Sequence, residues 1–113
     1  METPFLSLII PAHNEANRLE EALQKVEGFI RQQDYSVEVI LVENASSDAT
    51  VEIARSWQLR LPHLRLLCLE QPGKGNAVRE GMLAAHGAYR FMADTDFSMP
   101  IEEINRFFPY LEA

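Results

Sequence analysis

The sequence predicts an α/β domain, a mainly parallel open sheet with helices on both faces, and three observations carry that expectation. Short apolar runs recur at 5–10, 37–42, 64–69 and 89–93, each closed by Pro, Gly, Asn or acidic residues. The runs are nearly continuous rather than alternating, as suits parallel strands covered on both sides. Between them lie amphipathic stretches long enough for crossover helices, giving four strand-helix units with no repeat and no spare linker, joined by right-handed crossovers.

Composition narrows the function classes. The 113 residues, 47% hydrophobic and 24% charged, fit one soluble domain over 1–113. No run approaches the ~20 apolar residues that span a bilayer. Met1-Glu2-Thr3-Pro4 lacks the basic start of a signal peptide, so a cytoplasmic location is expected. A net charge of −7 with scattered Lys and Arg argues against a nucleic-acid partner. The same charge requires a cation or local basic groups wherever a phosphate is to bind. Cys68 is alone, which excludes an internal disulfide, and its neighbours Leu67 and Leu69 suggest a core thiol.

Taken in order, residues 5–10 form the first strand, closed by Pro11. After the loop Pro11-Ala12-His13-Asn14-Glu15, Leu19, Leu23, Val26 and Ile30 share the face of a helix ending near Gln33, with Asn17 and Glu20 spaced as a capping box. A lone loop histidine is usually solvated or hydrogen-bonded, so Glu15 is a better site candidate than His13. The second strand, 37–42, runs out at Glu43-Asn44. Ser46, Ser47 and Asp48 then read as caps of a helix carrying Val51, Ala54 and Trp57 inward. Glu43 stands at the C-terminal end of a central strand, where open α/β sheets bind ligands, and a polar contact to a nucleotide suits it.

Pro62 precedes a third strand, 64–69. Gly73-Lys74-Gly75-Asn76 then opens a helix with Ala77, Val78, Gly81, Met82 and Ala85 on one face, and Gly87 stops it. This loop is either an ordinary turn or a helix start whose amides, with Lys74 and Arg79, receive a phosphate. The fourth strand is a buried run that ends in Asp94-Thr95-Asp96. Strand side chains repeat with period two, so Asp94 and Asp96 share a side and Thr95 faces the other. Two hard oxygen ligands so placed can share one small divalent cation with water and a diphosphate, while an acidic turn before Pro100 is the plainer alternative. Counted as an EF-hand loop, the stretch puts Met99 at the turn glycine and Asn105 at the bidentate Glu, and fails. Ile101, Ile104, Phe107, Phe108 and Leu111 recur at helical spacing as core or interface. The ligand edge should collect Asn14, Glu15, Glu43, Lys74, Asp94 and Asp96.

Other nucleotide folds fit worse. The turn after the first strand lacks G-x-G-x-x-G, and Gly73-Lys74-Gly75 lacks the spacing and trailing hydroxyl of a P-loop. A phosphoacceptor receiver domain needs an Asp at the end of the third strand, where this chain has Leu69-Glu70.

Four stretches in order, Ile9-Ile10-Pro11-Ala12-His13-Asn14-Glu15, 39–50 with Glu43-Asn44-Ala45-Ser46-Ser47-Asp48, Gly73-Lys74-Gly75, and Asp94-Thr95-Asp96-Phe97-Ser98-Met99-Pro100, resemble family-two glycosyltransferases of the GT-A fold. The similarity is to the branch of polyprenyl- and dolichyl-phosphate sugar transferases. It implies a UDP- or GDP-sugar donor, with Pro11, Ala12 and Glu15 bordering the nucleoside, Glu43 at the base, Lys74 beside the nucleotide, and Asp94 and Asp96 on ribose, metal and diphosphate. Magnesium or manganese would be the cofactor, the reaction an inverting displacement, and a lipid phosphate the acceptor in a whole protein at the cytoplasmic face of a membrane.

The chain departs from the resembled pattern in two ways. Glu43-Asn44-Ala45-Ser46 stands where many members have Asp-Asp-Gly-Ser, which leaves the nucleotide preference open. The acceptor half and the catalytic base are expected beyond Ala113, so the chain reads as an N-terminal donor-binding part, truncated after about four strand-helix units and inactive alone. Uncovered apolar surface near Phe107 and Phe108 suggests self-association. A non-catalytic nucleotide-binding or scaffold domain of the same fold is the alternative.

Overall fold

The computed structural model describes residues 3–96 and 101–106. The chain runs β1 (Leu6–Ala12), α1 (Ala16–Gln32), β2 (Val37–Asn44), α2 (Thr50–Trp57), β3 (Leu64–Leu69), α3 (Lys74–Ala84), β4 (Tyr89–Met92), and a 3₁₀ turn over Ile101–Arg106. All strand pairs are parallel and the order across the sheet is β3-β2-β1-β4.

The continuous apolar runs follow from two-sided burial. In β1 and β2 every residue is buried. Leu6, Leu8, Ile10, Val39 and Leu41 pack under Leu19, Leu23, Val26 and Phe29 of α1 and Ala54 and Trp57 of α2. On the opposite face, Ile9, Ile40 and Val42 meet Ala77 of α3 and Ala85. The third helix lies so close that a Cβ at Gly81 would stand 2.5 Å from Ile9 Cγ2 and 3.0 Å from Val42 Cγ2. From β1 the chain steps outward to β2 and β3, and α3 then carries it across the other face to β4, on the far side of β1. Strand order therefore reverses at β1, and such reversals leave a crevice at the carboxyl ends of the strands.

Pro11 widens that crevice. The Ile9 carbonyl accepts from the Ala93 N–H at 2.9 Å. In a parallel ladder the next donor on that edge is two residues on, where Pro11 has no N–H to offer. Pairing of β1 with β4 accordingly ends at Ile9–Met92, while pairing with β2 continues to Ala12–Glu43.

Several expectations are corrected. The fourth strand is an edge strand with alternate residues exposed, not a buried one, and it ends at Met92 before the carboxylates. Alternation nonetheless persists past its end, with Thr95 buried between half-buried Asp94 and exposed Asp96. Cys68 is exposed on edge strand β3 rather than in the core. Asn17 lies inside α1, whose start has no side-chain cap of its own at Glu15. Beyond Pro100 the described turns are 3₁₀, with Ile101 and Ile104 buried as expected. Phe107, Phe108 and Leu111 lie outside the described residues.

At the amino end of the sheet, the Glu38 carboxylate, 5% exposed, accepts from Ser7 Oγ at 2.6 Å, Arg65 Nη1 at 2.8 Å and the His86 N–H at 2.9 Å. Burial pushes this carboxyl up, but the bonds from Ser7, His86 and Arg65 outweigh it and hold the group below its ordinary value. A carboxyl depressed on folding stabilises the fold above its unfolded pKa and loses that contribution as pH falls through the folded value. Glu38→Gln is therefore expected to lose less stability on acidification from about pH 5 to about pH 3 than the parent, in urea unfolding followed by Trp57 fluorescence. Parallel pH curves for the two proteins would show that Glu38 carries no such linkage.

Candidate functional site

The crevice at the carboxyl edge is a cavity of about 390 Å³. Pro11, Ala12, His13 and Glu15 come from the loop after β1, and Arg18 from the first turn of α1. Asn44 ends β2, Pro72, Gly73 and Lys74 lead into α3, and Asp94, Thr95 and Asp96 follow β4. Of the residues expected from sequence, Pro11, Ala12, Glu15, Lys74, Asp94 and Asp96 converge here, whereas Asn14 and Glu43 do not line the cavity.

Those two residues are spent on the loop after β2. Asn14 donates its backbone N–H to Ser46 Oγ at 3.0 Å and accepts from the Ser47 N–H on Oδ1 at 2.8 Å. Glu43, 4% exposed, turns its carboxylate to the Ser46 N–H. The same turn holds Ala45 at φ 56°, a left-handed conformation that is costly for any residue with a Cβ and free for the Gly of the resembled pattern.

The second loop also caps the first helix. Thr50 Oγ1 accepts from the Glu15 N–H at 2.9 Å, and Asp48 Oδ2 accepts from the Ala16 N–H at 3.2 Å. Orphan donors at the start of α1 are thus satisfied from another segment, which leaves the Asn17–Glu20 box nothing to cap. Asp48 serves α2 as well, accepting from the Thr50 N–H at 3.0 Å and from the Thr50 hydroxyl. Led by the hydroxyl bond, these hold its carboxyl below the ordinary range.

Asn44 joins the loops together, and sequence reasoning did not single it out for this. It is 3% exposed. Its Nδ2 donates to the Gly73 carbonyl at 2.9 Å, and its carbonyl accepts from His13 Nδ1 at 2.5 Å. With Nδ1 donating, His13 Nε2 is left to accept from Asn14 Nδ2 at 3.4 Å, so both ring nitrogens are engaged by the protein, as the hydrogen-bonded reading of this histidine requires. Arg18, Pro72 and Thr95 were also missed as wall residues, since nothing in their local pattern marks them.

Charge gathers on the opposite rim. Lys74 Nζ lies 2.5 Å from Asp94 Oδ1. Its bond to Asp94, the charge of Asp94 and that of Asp96 raise the Lys74 pKa, keeping the ammonium protonated. On the side of the β1 loop, Glu15 Oε2 and Arg18 Nε stand 3.9 Å apart, and both line the cavity. Among the described residues no three His, Cys, Asp or Glu side chains form a metal-holding group. Two hard carboxylate donors opening on a polar cavity suit magnesium or manganese, which keep water and ligand phosphates in their shell and need no full protein cage.

The Asn44 amide gives a direct check on this assembly. Asn44→Asp keeps the shape but turns an acceptor toward the Gly73 carbonyl, and losing such a buried bond costs about 1–3 kcal/mol. The variant should unfold at lower urea, with faster amide exchange at the start of α3. An unchanged midpoint would mean that Asn44 does not join the loops.

Residues 7–113 match the family described as Glycosyl transferase family 2. The dolichyl-phosphate beta-glucosyltransferase of Dictyostelium discoideum is 34% identical over 90% of this chain and 34% of its own length. That of Drosophila melanogaster is 39% identical over 80% of this chain and 30% of its own. The undecaprenyl-phosphate 4-deoxy-4-formamido-L-arabinose transferase of Pseudomonas syringae is 30% identical over 90% and 31%. Among solved structures, the mannosyltransferase PcManGT of Pyrobaculum calidifontis, in complex with GDP-Man and Mn2+, aligns with TM-score 0.74 at 30% identity, over 90% of this chain and 30% of that one. S. aureus TarS 1-349 shares the fold, with TM-score 0.75 at 23% identity over 95% of this chain and 32% of its own. The chain spans about a third of the length of these curated relatives. With the sheet, the carboxyl-edge cavity and a match over nearly its whole length in agreement, the chain belongs to glycosyl transferase family 2.

Proposed function

We propose that the chain is the donor-binding part of a glycosyltransferase that moves a sugar from a UDP- or GDP-sugar to a polyprenyl phosphate with inversion. The observation that carries this reading is the meeting of Asp94, Asp96 and Lys74 with Pro11, Ala12 and Glu15 at the point where strand order reverses. The names of the dolichyl- and undecaprenyl-phosphate relatives support the acceptor class, and the GDP-Man complex of the mannosyltransferase supports the donor class.

Each residue then has a physical task. Pro11, Ala12 and Glu15 border the nucleoside, and Asn14 and Glu43 hold the adjoining loop from behind. Lys74 places a positive charge beside the diphosphate, where a chain of net charge −7 would otherwise repel it. Asp94 and Asp96 are the residues that would hold magnesium or manganese. Such an ion, when bound, supplies Lewis-acid stabilisation of the leaving diphosphate. The base that activates the acceptor is assigned to the rest of a longer protein, so this chain binds donor without turning it over. No helix among the described residues is long and apolar enough to cross a membrane. In this reading the whole protein meets its lipid acceptor at the cytoplasmic face of one.

Calorimetric titration of UDP and of GDP, with and without manganese, should show manganese-dependent binding of one or both. Binding of neither under any condition would remove the donor-site reading. Asp96→Asn should weaken metal-dependent nucleotide binding at least about tenfold, because even groups that only support a metal ligand are worth ~10- to 100-fold. Asp96 is exposed, so the unfolding midpoint should stay near that of the parent. Equal affinity in variant and parent would take Asp96 out of the site.

A further inference from the structure

We infer that Lys74 is a resident counter-ion that holds the Asp94 carboxylate until a divalent cation and a diphosphate arrive together, so that the lysine opposes the cation alone and favours the pair. This rests on the donor-site reading and concerns how the site fills. Lys74 Nζ stands 2.5 Å from Asp94 Oδ1, contact distance for an ion pair, and both side chains line the cavity. A carboxylate oxygen in direct contact with an ammonium is not open to a cation at the same time, because like charges at contact repel. The pair is also free to part. Its side chains are 58% and 39% exposed, and Lys74 is the first residue of α3.

Released from Asp94, the Lys74 ammonium needs another anion, and a diphosphate in the same cavity supplies one. The exchange then proceeds without leaving a charge unpaired: Asp94 passes from ammonium to cation, and Lys74 from carboxylate to phosphate. Either ligand alone breaks one ion pair and completes only half the exchange. Both together complete it, which makes their binding mutually reinforcing, and linkage requires the coupling to be reciprocal. Arg18, the other cation of the cavity, is 3.9 Å from Glu15 and belongs to a different pair. It is therefore the control for the general effect of removing one positive charge.

The test compares the parent chain, Lys74→Met and Arg18→Met in two titrations. Manganese alone is followed by the electron paramagnetic resonance of the free ion, and UDP and GDP are titrated at saturating manganese by calorimetry. Lys74→Met is expected to bind manganese alone about two- to fivefold more tightly than the parent, the scale of an exposed ion pair. It should bind the nucleotide less tightly. Arg18→Met should change manganese affinity by less than Lys74→Met does. Manganese affinity that is unchanged or reduced in Lys74→Met, or raised equally in Arg18→Met, overturns the exchange, as does manganese that binds neither the parent nor Lys74→Met. If the parent binds neither nucleotide while Lys74→Met still raises manganese affinity, the donor-site reading falls and the competition of Lys74 for Asp94 stands without its diphosphate partner. If the parent binds nucleotide and Lys74→Met fails the manganese comparison, the exchange alone is lost.

Discussion

A missing hydrogen-bond donor at Pro11 is the constraint on which the rest of the site depends. The β1–β4 ladder stops at Ile9–Met92 because the next donor on that edge is absent, while the β1–β2 ladder runs on to Glu43. The two central strands therefore project beyond their neighbour. Because strand order reverses at this same seam, no crossover among the described residues roofs the gap at the carboxyl edge.

Around the gap the two walls differ in kind. One is braced by neutral hydrogen bonds: His13 to Asn44, Asn44 to Gly73, Ser47 to Asn14, and Glu15 to Thr50. These bonds link segments far apart in sequence, and each satisfies a backbone N–H or carbonyl group. The other wall carries Asp94, Asp96 and Lys74, with Lys74 paired to Asp94. A hydrogen-bonded surface and a charged one thus lie on opposite sides of one opening.

The sheet was legible because two-sided burial leaves continuous apolar runs, and β3 fell on its expected residues. Legibility failed where a tertiary neighbour changed the meaning of a local pattern. Asn17 and Glu20 have the spacing of a capping box, yet Thr50 and Asp48 had already filled that role. Leu67-Cys68-Leu69 resembles core, but an edge strand leaves Cys68 exposed. That the acidic pair and Lys74 come together at the carboxyl edge was legible because charge that closes an apolar strand must face water or a counter-ion, and that edge of an open sheet offers both. Asn44 as a joint between loops was not, since its partners lie 29 and 31 residues away and no periodicity links them.

The placement of β4 bears on how the domain assembles. The pairs β1–β2 and β2–β3 join strands separated by one helix each, so every addition closes a short loop. Seating Tyr89 beside Leu6 instead closes nearly the whole described chain into one circuit, and the entropy of closure rises with its length. The loops after β1 and β2 are joined by contacts that do not involve β4, whereas Asp94 and Asp96 are held at the opening by the pairing of β4 with β1. The acidic rim of the opening therefore depends on the contact of longest sequence separation in the sheet, and the wall formed by the loops after β1 and β2 does not.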